Sequence, residues 1–230
     1  RQAEGEFLLF VDDDNYLAEH AIYNALIAFD SEVVQGKYGL TSRKNTGVAG
    51  LMACYDDQRE IIADGGSKRN YLNGFTKGLN TNKNHSEVGE FPYEVDEIAN
   101  AFMMHRELFY ELHGFDENNF PIDLDEADFC KRAKDRGYKI VIAPQAICYH
   151  KSQTYSRIVD FRRTLNAYYM GRNKILFQRK HSSFGFYLIY LCLFLPATVL
   201  CYCWCLLYRR KPKMLFHFMR GVFDGMCKKI

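Results

Sequence analysis

Three carboxylates stand in a row, Asp12, Asp13 and Asp14, directly after the apolar run FLLFV at residues 7–11. Like charges this close repel, so the arrangement needs a compensating partner. Asp12 and Asp14 are two apart, and in extended backbone their side chains lean to the same side. Such a pair can share a divalent cation, or one carboxylate can hold the metal while the other accepts a ligand hydroxyl. Hard Mg2+ or Mn2+, which take oxygen ligands, would neutralise the triplet and take up a diphosphate as well. A plainer reading competes: Asp14 or Asn15 as the N-cap of a helix beginning near Leu17, with the other acids solvated. An aspartyl nucleophile of the phosphatase kind is a third chemistry, and nothing nearby supplies its other parts. An EF-hand is excluded, because the loop lacks the glycine at its sixth position and the closing glutamate.

A second acidic group lies far downstream, in LDEADFCKRAKDRG at residues 124–137. Asp125, Glu126 and Asp128 open a helix-like stretch, where the macrodipole favours carboxylates. That effect accounts for one or two of them. It does not account for their company, a GFDE turn (Gly114 to Glu117) just upstream and a lone histidine, His150, at a strand end downstream.

The elements that must position these residues read as α/β. EFLLFV is a short continuous apolar run, the mark of a buried strand. A strand ending in carboxylates sets them at the C-terminal edge of a sheet, where α/β folds bind ligands. Leu17, Ala21, Ala25 and Ala28 recur at helical spacing. GVAGLMACY (47–55) predicts a second strand, and the Gly- and Asn-rich stretch 64–90 a long loop. EIANAFMMH leads into a short helix, RELFYELHG, stopped by Gly114. The 124–137 helix stops at Gly137. YKIVIAP and AICYH predict strand pieces broken at Pro144.

From Phe184 to Tyr208 the chain carries no charge, which is long enough for a bilayer core. Tyr187, Tyr190, Tyr202, Trp204 and Tyr208 suit interfacial aromatics, and Arg209 to Lys211 a positive end. Basic residues (Arg172, Lys174, Arg179, Lys180) flank the other end too, and Pro196 permits a re-entrant helix, so spanning and re-entrant forms both stand. The division read from sequence is 1–181 as an α/β domain, 184–208 as the membrane helix and 209–230 as a basic juxtamembrane tail. Among 230 residues, 48% hydrophobic and 15% aromatic content supplies a core, and a net charge of +2 is too small to argue for nucleic acid. Eight scattered or apolar-run cysteines form neither zinc-type pairs nor a secreted framework, which points to a reducing, cytosolic setting.

Taken in order, these motifs resemble the family 2 glycosyltransferases of the GT-A fold, in particular the rhamnosyltransferase-like branch. Asp12-Asp13-Asp14 matches the DxD-type strand end. NAFMMHRELFYELHGFDE matches a Gly-Ala…Arg segment, helix and Gly-Gly-Phe-Asp-Glu turn, with Asn100 at the first glycine. Asp125-Glu126-Ala127-Asp128…Arg132, then Gly137-Tyr138, matches the Glu-Asp-x-Asp-Leu-x-x-Arg helix. Tyr149-His150-Lys151-Ser152 matches the closing histidine, and YYMGRNKILFQRKH (168–181) the family's tail. The resemblance implies a partial GT-A, Rossmann-like domain followed by a membrane helix. It implies a metal-dependent inverting transferase using Mg2+ or Mn2+ and a nucleotide-sugar donor.

Residue by residue, it assigns Asp12 and Asp13 to the donor, Asp12 near the ribose, and Asp14 and His150 to the metal. The catalytic base falls at Glu126, with Asp125 as the alternative because Asp and Glu are swapped here relative to the family's Glu-Asp order. Arg172 is open to two readings, a diphosphate contact or a residue facing lipid headgroups. Membrane placement, with the catalytic part on the cytoplasmic side, suggests a glycan or lipid-linked acceptor. The family carries strands and a nucleotide-binding segment before the DxD strand, whereas this chain starts at RQAEGEF. A fragment of a longer enzyme, inactive by itself, is therefore expected. The rival expectations are a non-catalytic membrane-anchored remnant and a metal-dependent phosphoryl-transfer enzyme using Asp12 and Asp14.

Overall fold

The computed structural model describes residues 3–30, 33–36, 39–42, 45–151 and 164–229. They form two units, one of residues 1–68, 77–114 and 129–155, the other of 69–76, 115–128 and 156–230.

The first unit opens with β1 (Phe7–Val11), β2 (Asn15–Leu17), α1 (Ala21–Asp30), β3 (Val33–Gly36), β4 (Gly39–Ser42) and β5 (Thr46–Tyr55). It continues with β6 (Ile62–Asp64), β7 (Ser67–Arg69), β8 (Thr76–Gly78), β9 (Tyr93–Glu94), β10 (Ala101–His105) and α2 (Arg106–Glu111). Helix α3 (Asp125–Asp135), whose residues up to 128 belong to the second unit, and strand β11 (Lys139–His150) follow. The main sheet runs β1-β10-β5-β11-β9-β3-β4, with β2 on β11 and β6 on β5. Strand β5 is buried along its whole length and pairs in parallel with β11. Its sequence, small and apolar without alternation, is what a strand covered on both faces needs. Ala21, Ala25 and Ala28 of α1 pack into the core with Leu51, Met103 and Val141, the short side chains letting the helix lie close to the sheet.

Four expectations change in detail. Strand β1 is half-buried rather than buried, because it lies at the sheet edge with β10 as its neighbour. Leu17 belongs to β2, and the helix starts at Ala21. Strand β11 passes through Pro144 unbroken: a register shift between Ala143 and Ile147 absorbs the residue that cannot donate to the ladder. The 64–90 stretch carries the two-stranded β7–β8 sheet and a 3-10 turn at His85–Glu87 closed by an Asn84 capping box. Gly114 and Gly137 do end their helices, at φ 72° and 87°.

The second unit is helical: α4 (Thr164–His181), α5 (Phe184–Ile189), α6 (Leu195–Tyr208) and α7 (Pro212–Cys227), with a π turn at Tyr190–Phe194 joining α5 to α6. The stretch read as a basic tail thus holds α7. Helices α4 and α7 touch through glycine. A Cβ on Gly221 would stand 2.0 Å from the Tyr168 carbonyl oxygen, and one on Gly171 2.5 Å from that of Phe218. Phe184–Tyr208 is one helix long and apolar enough to cross a membrane, with mean hydropathy 2.1 over its most apolar window.

Candidate functional site

Sheet register builds the first cluster. The chain leaves β1, the Asp12 amide donates to the Asn100 carbonyl (2.9 Å), and Asn15 N–H donates to the Asp12 carbonyl (3.0 Å), closing a turn. β2 then returns antiparallel to β11, setting Asn15 opposite His150 and Tyr16 opposite Tyr149. Asp14 Oδ2 thereby comes to 3.2 Å from His150 Nε2, while the Lys151 amide donates to the Asp14 carbonyl (2.9 Å). Neither Asp14 nor Asn15 caps α1. Asp12 and Asp13 are exposed at the same turn.

The Asp14–His150 pair fits a divalent cation. Adjacent donors around an octahedral Mg2+ or Mn2+ stand about 3 Å apart when each lies at about 2.1 Å. Asn15 Nδ2 donates to Asp14 Oδ1 (3.1 Å), fixing the carboxylate, and Asn15 Oδ1 is buried with no hydrogen-bond partner among the described residues. Among those residues no group of three or more His, Cys, Asp and Glu converges as a metal cage. The remaining positions would fall to water and to ligand oxygens.

Sequence reading missed the neighbours of this pair. The Tyr16 hydroxyl donates to Asp56, and Arg59 donates to Tyr16 Oη (3.2 Å) while its guanidinium lies 4.8 Å over the Tyr149 ring. The hydrogen bond to Asp56 pushes the Tyr16 phenol above its usual range. Asp56 and Arg59 follow β5 in the DDQR loop; a polar loop after a buried strand was the available signal. Asn100 explains its place in the motif. It sits at φ 68°, a left-handed conformation that asparagine tolerates where glycine is usual, and its Nδ2 donates to Asp64 (3.1 Å).

The second cluster lies in the second unit. Asp125 and Glu126 are half-buried in the first turn of α3, and Asp128 is buried. Asp128 Oδ1 is 2.7 Å from both His181 Nε2 and Lys180 Nζ. Lys180 also donates to Asp116 (2.7 Å), which accepts from the Asn119 amide (3.1 Å) and Nδ2 (2.9 Å). Burial pushes the Asp116 carboxyl up, but Lys180 and Asn119 outweigh it and hold the group below its ordinary value. Asp128 is therefore a structural counter-ion.

Just before Asp125 and Glu126, both Asp123 and Leu124 are left-handed, at φ 65° and 67°. Two non-glycine residues in that region store strain, which the surroundings must hold. Asn173 does so, its Nδ2 donating to the Ile122 (2.6 Å) and Asp123 (2.8 Å) carbonyls. Arg172, 6% exposed, donates to the Asn119 carbonyl (2.9 Å) and to Asn173 Oδ1 (2.7 Å). The Arg172-Asn173 pair is thus the clamp on the loop that presents Asp125 and Glu126. Ser152, last in the histidine motif, lies outside the described residues.

No family model matches the chain, and no curated protein matches it. Solved structures do. One is GalNAc-T7 with UDP, GalNAc and Mn2+: 16% identity, TM-score 0.47, 65% of this chain and 28% of that one. Another is the mannosyltransferase PcManGT from Pyrobaculum calidifontis in complex with GDP-Man and Mn2+: 12% identity, TM-score 0.47, 99% of this chain and 64% of that one. The chain spans less than two thirds of the length of either protein.

Proposed function

We propose that this chain acts in a metal-dependent, inverting glycosyl transfer from a nucleotide-sugar donor to a glycan or lipid-linked acceptor, at the cytoplasmic face of a membrane. The carrying observation is the β2–β11 register that sets Asp14 beside His150 at a turn with two further exposed carboxylates. Asp14 and His150 would hold Mg2+ or Mn2+, with Asp12 and Asp13 toward the donor. The bound cation would supply charge neutralisation for the departing diphosphate. Glu126, with Asp125 as the alternative, takes the proton of the acceptor hydroxyl as that oxygen bonds to the anomeric carbon. The bond from that carbon to the diphosphate breaks, and its electron pair leaves with the nucleotide. Arg172 positions this base through the loop it clamps.

Calorimetry of the full chain with Mn2+ and UDP, GDP or dTDP tests the donor site. The expected result is nucleotide binding that requires the metal and weakens at least tenfold, about 1.4 kcal/mol, in Asp14→Ala and His150→Ala. A folded chain that binds no nucleotide with Mn2+, or binds equally well without Asp14, overturns the reading.

A further inference from the structure

Phe184–Tyr208 is long enough to cross a bilayer, yet it does not stand away from its unit. A single stripe, running through Tyr187, Tyr190, Phe194, Val199, Tyr202 and Leu206, packs inward along the whole segment. The stripe recurs at three and four residues apart from one step of five, Phe194 to Val199, just after the π turn, which precedes Pro196 and keeps the helix continuous. Near its start the Tyr190 ring comes within 3.1 Å of where a Gly74 side chain would be. Further on, Lys174 of α4 donates to the Tyr202 hydroxyl (3.2 Å), and the Tyr202 ring lies 5.2 Å from Phe218 of α7. At its end Leu206 is fully buried with Met214.

A spanning helix would therefore take its companions with it. Lys174 and the strongly polar α4 would have to enter hydrocarbon, where each charge costs about 3 kcal/mol or more. Both ends of the segment are basic as well, Arg179 and Lys180 before it and Arg209 to Lys213 after it. Equal positive flanks favour the same side for both.

The outward face is what remains to be covered. Leu193 (63% exposed), Leu200 (70%), Trp204 (72%) and Leu207 (60%) form one apolar stripe. Helix α7 carries another, Phe216, Met219, Phe223 and Met226, opposite the face it packs on α4. Met219 Sδ lies 3.6 Å from Cys203 Sγ, joining the stripes at one edge. Around them stand Arg209, Arg210, Lys213, Arg220 and Lys229, while Asp224 is the only acid after Thr164. An apolar face with a cationic rim matches an anionic lipid surface.

We propose that the second unit is monotopic: residues 184–208 and α7 lie together in one leaflet of an anionic membrane, and neither end of the segment crosses. This seat on the membrane needs nothing from the glycosyl-transfer reading. Trp204 is the single tryptophan, which makes depth measurable in the full chain. Native protein is compared with Leu193→Trp and Phe223→Trp, each in a Trp204→Phe background, on vesicles of equal phosphatidylcholine and phosphatidylglycerol with bromines at graded acyl depths. All three positions are exposed, so the folds should match by circular dichroism. Expected are three similar shallow depths, about 5–10 Å below the headgroups, and at least tenfold weaker binding to phosphatidylcholine alone. Deep quenching for Leu193→Trp with none for Phe223→Trp would mean a spanning helix and overturn the proposal. So would no quenching at any position together with self-association, the result if a second copy covers the face.

Discussion

At Asp14 the two carboxylate oxygens have separate neighbours: Oδ1 takes the Asn15 amide and Oδ2 faces His150. Glu126 and Asp125 are adjacent and both half-buried in the first turn of α3, so kinetics must separate them as the base. A general base is worth about a hundredfold or more. Glu126→Gln should lower kcat by that factor with donor KM unchanged, and Asp125→Asn by only a few fold; the reverse ranking would move the base to Asp125. Asp116 carries a stability prediction. Its folded-state pKa lies below the unfolded value, so its contribution is fully present above about pH 4 and is lost as pH falls through the folded value. Asp116→Asn should destabilise by about 1–2 kcal/mol at neutral pH, less than a broken buried pair because Lys180 keeps Asp128. Urea unfolding against pH should show the two proteins converging below about pH 4. A difference that persists there would mean that Asp116 acts through packing, not charge.

At the scale of elements, the α4–α7 contact is the most exacting. At Gly221 an added methyl would meet backbone, which no rotamer change relieves. Gly221→Ala should destabilise the second unit by about 3 kcal/mol or separate the helices, whereas Gly185→Ala, with open space around it, should be near neutral. Equal melting temperatures for the two variants would refute the close contact. What could be read from sequence follows from the same physics. Strand β5, helix α3 and the β10–α2 step are long or sharply punctuated, so composition alone delineates them. β2 has three residues and no period, and β11 hides its bulge at Pro144. α7 was masked by its charge, although Met214, Phe218 and Val222 recur at every fourth position with Gly221 and Gly225 among them. The candidate residues Asp14, His150 and Glu126 were legible as types. Their partners were not, because register and tertiary pairing decide that Asp14 meets His150 and that Lys180 and His181 meet Asp128.

For the molecule as a whole, the boundary after residue 181 that composition suggests cuts through a packed unit. Helix α4 lies before it and α7 after it, and Ala167, Ile175, Phe218 and Val222 share one core. Burial of Phe218, Val222 and Met214 contributes about 1.5–3 kcal/mol each. Their sum is comparable to the 5–15 kcal/mol by which a whole domain is stable. A chain ending at His181 should therefore lose the second unit, and with it the clamp of Arg172 and Asn173 on residues 119–123. Limited trypsin digestion gives the measurement. Arg172 is buried in the full chain, so cleavage there should be slow, and truncation at His181 should speed it by at least tenfold. Equal protection in both would show that α4 holds its place without α7. The expected result also dictates how activity must be assayed: the loop that presents Asp125 and Glu126 is held by residues of α4, so a base can be identified only in a chain that keeps α7.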